Sequence, residues 1–175
     1  MTGLLPGALV LTVSDGVIAG TRPDKSGPVL AELLEAAGFQ VERAAVPDDA
    51  VVIAAAVRAA AVRHRLVVTT GGTGMTPRDV TPQALRPLLD YEVPGFGELM
   101  RSEGRRSTPF ASLSRSLGGV IGHCLVLAVP GSPGGARESL EAVLPALAHA
   151  LETLANDSSR HAAAGGPDRS ADRGR

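Results

Sequence analysis

Short apolar runs, each closed by turn residues and separated by helix-length patches, constrain this chain more than any other feature. They are "ALVLTVSDG" (8–16), "FQVERAAV" (39–46), "LVVTT" (66–70) and "CLVLAV" (124–129). Parallel strands covered on both faces read as near-continuous β-branched and aliphatic runs, which is the pattern of three of the four. The run at 39–46 only half alternates and ends at Pro47. Between the runs, "SGPVLAELLEAAG" places Val29, Leu30, Leu33 and Leu34 on one helical face, with Ser26 as N-cap and Gly38 as stop. A second helix is expected from Ala50 to about His64, capped by Asp48 or Asp49. A third begins near Thr81, with Pro82 in its first turn, and a last one runs from Ala136 to about Leu154. Residues 91–119 predict a helix followed by a short helix or loop.

Strands alternating with helices predict βαβ units, an α/β fold and a mostly parallel sheet with right-handed crossovers. In such sheets ligands bind beyond the carboxyl ends of the strands. A chain of 175 residues fits one domain. We place that domain at residues 1–156. From Asn156 the composition turns to Ser, Ala, Gly, Asp and Arg with little to bury, so 157–175 is expected to be a disordered tail.

Composition narrows the function classes. Hydrophobic residues make up 44% of the chain, yet it has three Phe, one Tyr and no Trp. The core is therefore aliphatic, and the exposed rings that stack on single-stranded nucleic acid are scarce. With 17 basic and 18 acidic residues the net charge is −1, which implies no polyanion-binding field. Together these argue against a nucleic-acid partner. Cys124 stands alone and is read as a buried core thiol. The apolar stretch at 50–57 is interrupted by Arg58, far short of the ~20 residues of a membrane span. No basic region precedes the first apolar stretch, so no signal peptide is expected and the cytoplasm is the expected location. His64 and His149 are expected near helix C-termini, His161 in the tail, and no His pair has zinc-ligand spacing.

Polar residues gather where the apolar runs finish: Ser14 and Asp15, Pro47 and Asp48, "TTGGTG" (69–74), and "PGSP" (130–133). Glycines let backbone N–H groups approach an anion, and Thr69, Thr70 and Thr73 offer hydroxyl donors. No Lys-Ser/Thr pair follows, so this is not a P-loop, and no third glycine completes a dinucleotide fingerprint. The plainer reading is a tight turn without a ligand. Asp79 in "PRDVTP" is either a turn or capping residue or a ligand-facing one, Asp48 competes with Asp49 for the cap, and Arg78 either meets a phosphate or is solvated. Two carboxylates facing a phosphate loop make chemical sense with a cation between them. Mg²⁺ takes one or two carboxylates and keeps waters and phosphate oxygens. Ser14, Ser114 and Ser132 lie in candidate site loops, but no Gly-x-Ser-x-Gly elbow is present.

Taken in order, "TVSD" (12–15), "VPDD" (46–49), "TTGGTGMTPRDVTP" (69–82), "EVPGFGELMR" (92–101), "TPFASLSR" (108–115) and "PGSP" (130–133) resemble the MogA/MoaB family of molybdenum-cofactor biosynthesis proteins, to which the gephyrin G domain belongs. The resemblance runs from about Val10 to about Leu154. It implies a three-layer α/β/α sandwich, usually trimeric and sometimes hexameric, that binds molybdopterin, with a molybdenum-insertion protein as a further partner. It also implies adenylylation of molybdopterin from ATP with Mg²⁺, releasing pyrophosphate. The family's two essential aspartates fall on Asp48 and Asp79, expected to hold Mg²⁺ and position substrate rather than abstract a proton. Its Gly-Gly-Thr-Gly loop falls on Gly71, Gly72, Thr73 and Gly74. The serine implicated in molybdopterin binding falls on Ser114, and Asp15, Arg115, Gly131 and Ser132 are carried over as site-lining positions. The chain is closer in size to MoaB than to the longer MogA members, which supports a second reading: a molybdopterin-binding or scaffold protein without turnover.

Overall fold

The structure, a computed structural model, describes residues 6–163, with side chains described as far as 155. Six strands form one sheet: β1 (Gly7–Val13), β2 (Gln40–Val46), β3 (Leu66–Thr70), β4 (Tyr91–Glu92), β5 (Leu117–Ile121) and β6 (Cys124–Val129). Their order is β2-β1-β3-β6-β5-β4, and the first four run parallel while β5 and β4 are antiparallel to their neighbours. The helices are α1 (Asp15–Ile18), α2 (Ser26–Ala36), α3 (Ala50–Ala61), α4 (Thr81–Leu85), α5 (Pro94–Ser107) and α6 (Pro133–Ala163), with 3-10 turns at Arg86–Leu88 and Pro109–Leu113.

The two-residue period of a strand assigns its side chains to opposite faces. Ala8, Val10, Leu66, Val68, Leu125, Leu127 and Val129 meet Leu30 and Leu34 of α2, Phe96 and Met100 of α5, and Leu140 of α6. The intervening Leu9, Leu11, Val13, Val67, Cys124, Val126 and Ala128 meet Ile53 and Val57 of α3 and Leu85 of α4. The result is a three-layer α/β/α sandwich. Burial on both faces is why β1, β3 and β6 are continuous apolar runs, and each fully buried Leu, Ile or Val contributes about 1.5–3 kcal/mol. Edge strand β2 is largely exposed, which accounts for its Glu42 and Arg43. Cys124 is fully buried, and burial pushes its thiol up to about 12, so it serves as core and not as a nucleophile.

Chain direction positions the site. The crossover from β1 to β2 uses α2 on one face, and the return from β2 to β3 uses α3 on the other. The sheet therefore reverses its winding between β1 and β3, the point where a crevice opens in doubly wound folds. Register levels the strand ends: Val13 lies opposite Val46, Thr12 opposite Thr70, and Thr70 opposite Val129. Segments leaving β2 and β3 thus start about 10 Å apart, two strand spacings.

Several elements differ from the sequence reading. Ser26 lies inside the first turn of α2, and Asp24 Oδ1 accepts from Gly27 N (2.9 Å) in the capping role assigned to Ser26. His149 falls within α6, not near its end, because α6 contains no Gly or Pro after Pro145 and continues past Asn156 to Ala163. The first part of the expected disordered tail is thus helical backbone, and 164–175 lie outside the described residues. The stretch read as helix plus short helix or loop also carries β4 and β5. Gly118 and Gly119 hide β5 from propensity. Yet a Cβ at Gly119 would stand 2.9 Å from the Tyr91 carbonyl oxygen, besides 2.5 Å from a Leu89 methyl, so only a bare backbone fits there.

Asp49, not Asp48, caps α3: its Oδ1 accepts from Val51 N (2.8 Å) and Val52 N (3.0 Å). Asp49→Ala is expected to lower stability by about 1 kcal/mol in urea unfolding. An unchanged midpoint would show that this cap contributes nothing.

Candidate active site

Beyond the carboxyl ends of the parallel strands lies a cleft of about 1000 Å³. Its wall includes Ser14 after β1, Asp48 after β2, Gly71, Gly72, Thr73 and Gly74 after β3, Asp79 before α4, Ser114 before β5, and Gly131 and Ser132 after β6. Asp15 and Arg115 do not line it, and each instead holds a residue that does.

Asp15 and Asp48 are tied reciprocally. Asp15 N donates to Asp48 Oδ2 (2.8 Å), and Asp48 N donates to Asp15 Oδ1 (3.0 Å). The Asp48 amide beside it holds the Asp15 carboxyl below its usual range against the opposing effect of burial. The Arg78 guanidinium, which pairs with Asp15 Oδ2, adds to the lowering. Arg78 is thus engaged by a carboxylate.

The glycine-threonine loop is shaped by its neighbours. Gly71 and Gly72 have φ of 104° and 64°, left-handed values that favour glycine. A Cβ at Gly71 would collide with the Val13 carbonyl, and one at Gly72 with the Thr81 hydroxyl. Thr81 Oγ1 donates to Gly71 O (2.8 Å), and Thr81 N donates to Gly72 O (3.1 Å). Among the described residues the N–H groups of Gly72 and Thr73 donate to no protein acceptor. They are suited to an anion. The hydroxyls of Thr69 and Thr70 are not: both residues are buried, and they donate to Leu127 O (3.4 Å) and Pro130 O (2.8 Å). Parallel pairing with β6 places carbonyls within their reach, which corrects their assignment as ligand donors.

Asp79 is a turn aspartate facing the cleft. Its Oδ2 accepts from Thr76 N (2.8 Å) and Thr76 Oγ1 (2.7 Å), and α4 begins after it without a side-chain cap. Burial pushes its carboxyl up. The Thr76 hydroxyl and amide, the Gly74 amide and the Arg115 guanidinium outweigh that and hold it below its usual range. Gly74 must stay bare here, since a Cβ would lie 2.8 Å from Asp79 Oδ2. Arg115 clamps the connection between β3 and α4 at three points: its backbone N donates to Thr73 O (2.9 Å), its Nε to Gly74 O (2.7 Å), and its Nη2 to Asp79 O. Ser132 Oγ accepts from Gly135 N (3.2 Å) at the start of α6.

Asp24 and Arg101 also line the cleft and had no site role in the sequence reading. Asp24 Oδ2 accepts from Thr12 Oγ1 (2.9 Å) and stands 3.7 Å from Arg43. Its signal was the Asp-x-x-Gly spacing to Gly27. Among the described residues no three His, Cys, Asp or Glu side chains gather as a metal cluster, and no helix is long and apolar enough to cross a membrane. Asp48 and Asp79 are two of four carboxylates on one cleft, with Asp24 and Glu138. That suits an ion that shares its shell with phosphates and water.

A depressed Asp79 carboxyl stabilises the fold above the ordinary aspartate value of about 3.9 and loses that contribution as pH falls through its lower folded value. The stability gap between the wild type and Asp79→Asn is therefore expected to be constant from about pH 5 to 8 and to close in acid. A gap independent of pH throughout would show that the carboxylate charge is not what the Thr76 and Arg115 contacts stabilise.

Residues 9–149 match the family described as probable molybdopterin binding domain. The chain is 40% identical over 154 residues to a molybdenum cofactor biosynthesis bifunctional protein of Chlorobaculum tepidum, covering 87% of this chain and 49% of that one, so it spans about half the length of that relative. It is 41% identical over 148 residues to the molybdopterin adenylyltransferase of Haemophilus influenzae, covering 82% of this chain and 75% of that one. The crystal structure of the molybdopterin biosynthesis enzyme MoaB from Thermus thermophilus superposes with a TM-score of 0.81 at 49% identity, covering 86% of this chain and 96% of that one. With its motifs in order and its strand ends forming one cleft, the chain belongs to the MogA/MoaB family of molybdopterin-binding domains.

Proposed function

We propose that this chain transfers AMP from ATP to the terminal phosphate of molybdopterin, releasing pyrophosphate. One observation carries the reading: Asp48 and Asp79, from different loops, line one cleft with the open amides of Gly72 and Thr73. A phosphate oxygen of molybdopterin attacks the α-phosphorus of ATP, and the bond from that phosphorus to the bridging β-phosphate oxygen breaks. The attacking oxygen is already anionic at neutral pH, since phosphate monoesters lose their second proton near pH 6. No strong base is needed, so alignment and charge neutralisation supply the rate.

The protein's part in this is positional. The Gly72 and Thr73 amides receive phosphate oxygens, and Ser114 orients molybdopterin from the loop before β5. The Asp15 and Arg115 contacts hold Asp48 and Asp79 against drift. Asp48 and Asp79 would hold Mg²⁺, which supplies positive charge against the phosphates when bound. Kinship to MoaB favours a second reading, molybdopterin binding without turnover. We also propose the family's trimeric assembly and a cytoplasmic location.

Incubation with molybdopterin, ATP and Mg²⁺ is expected to yield adenylylated molybdopterin, detected by mass, together with pyrophosphate. Bound molybdopterin without product selects the second reading. Asp48→Asn and Asp79→Asn are each expected to keep the fold and molybdopterin binding while turnover drops by about 10²–10³. Full turnover in either variant removes that aspartate from the mechanism.

A further inference from the structure

Arg101 occupies a slot cut for it. It stands on α5 one turn beyond Gly97, on the same helical face. Its Nη1 donates to Ser116 O (2.7 Å) and reaches Ser114 O at 3.5 Å. A Cβ at Gly97 would lie 2.6 Å from Ser116 O and 3.1 and 3.2 Å from the two terminal nitrogens of Arg101. Only a glycine at 97 lets the guanidinium and the loop meet. The loop it holds carries two hydroxyls in contact: Ser114 Oγ and Ser116 Oγ lie 2.8 Å apart, and Ser116 N donates to Ser114 Oγ (3.3 Å). All three residues line the cleft. Arg101 takes part in none of the ion pairs among the described residues. Its partners are carbonyls, so the planar fork and not a counter-charge decides its place.

We propose that Arg101 is a positioning residue for molybdopterin, acting through Ser114: by gripping the loop carbonyls above Gly97 it fixes where the Ser114 hydroxyl points into the cleft. Arg115 holds the same loop from the other side, to Thr73, Gly74 and Asp79. Ser114 is thereby fastened between the α5 side of the cleft and the glycine-threonine loop. The inference rests on the reading that the cleft takes molybdopterin, with Ser114 as one of its contacts. Lysine keeps the charge of Arg101 but offers a point donor on a flexible stem, so it does not restore the grip.

The test uses the full chain and equilibrium binding of molybdopterin, with the KM for ATP as a second readout. Arg101→Lys and Ser114→Ala are each expected to weaken molybdopterin binding about tenfold, the scale of one charge-assisted hydrogen bond, with the ATP KM unchanged. The double variant is expected to bind no more weakly than the weaker single, because both changes remove the same placement. Arg101→Gln provides a second replacement, without the charge. Wild-type affinity in both Arg101 variants overturns the proposal. So do losses that multiply in the double variant, an equal rise in the ATP KM, or failure of both Arg101 variants to fold. If the wild type binds molybdopterin but makes no adenylylated product, the activity proposed above fails while this comparison still decides the role of Arg101. If it does not bind molybdopterin, both fail.

Discussion

Four strands run in parallel and end within one residue of each other, and the whole site hangs on that register. Val46 and Val13 close β2 and β1 as one pair, one residue beyond the paired Thr70 and Val129 that close β3 and β6. Every segment that follows must turn at the same height, so Asp48, Ser14, Gly72 and Ser132 come together without being near one another in sequence. A slip of one residue in any strand would send its core set to the wrong face and its terminal polar residue away from the cleft. The aliphatic packing on both faces is what resists such a slip, and stability and site geometry therefore have a common source.

Above that row the loops hold each other. The two carboxylates of Asp15 and Asp48 accept each other's amides, an arrangement that would fail if either were buried without those donors. Arg115 reaches three carbonyls of the connection between β3 and α4, and Arg101 reaches two in the loop that Arg115 itself belongs to. Arginine suits this work because its donors are fixed in a plane. Such cross-bracing places hydroxyls, amides and carboxylates before a substrate arrives, and preorganisation of this kind is the main route to accelerating phosphoryl-type transfer.

Much of this was legible in the chain. The buried strands declared themselves because both their faces are covered, and the glycine-threonine loop because glycine is needed where φ turns positive, as at Gly71 and Gly72. What escaped depended on partners distant in sequence. The hydroxyls of Thr69 and Thr70 looked available until Leu127 of β6 and Pro130 just beyond it supplied carbonyls to them. Asp24 carried no role until the fold set it on the cleft wall with the α2 amide at Gly27 against it. Strand β5 was hidden by Gly118 and Gly119, which are there because Phe96 and Leu89 leave no room for a side chain.

The sequence by itself determined the layer architecture, the strand ends around which the cleft lies, and the family, since periodicity and ordered motifs are local properties of a chain. Tertiary structure alone decided which of Asp48 and Asp49 caps α3 and which faces the cleft, and which partners Arg78 and Arg115 have within the protein. It alone also gave Arg101 a slot. These are choices among equally suitable donors and acceptors, and a side chain's hydrogen bonds are settled only by which distant atoms the packed layers bring within about 3 Å of it.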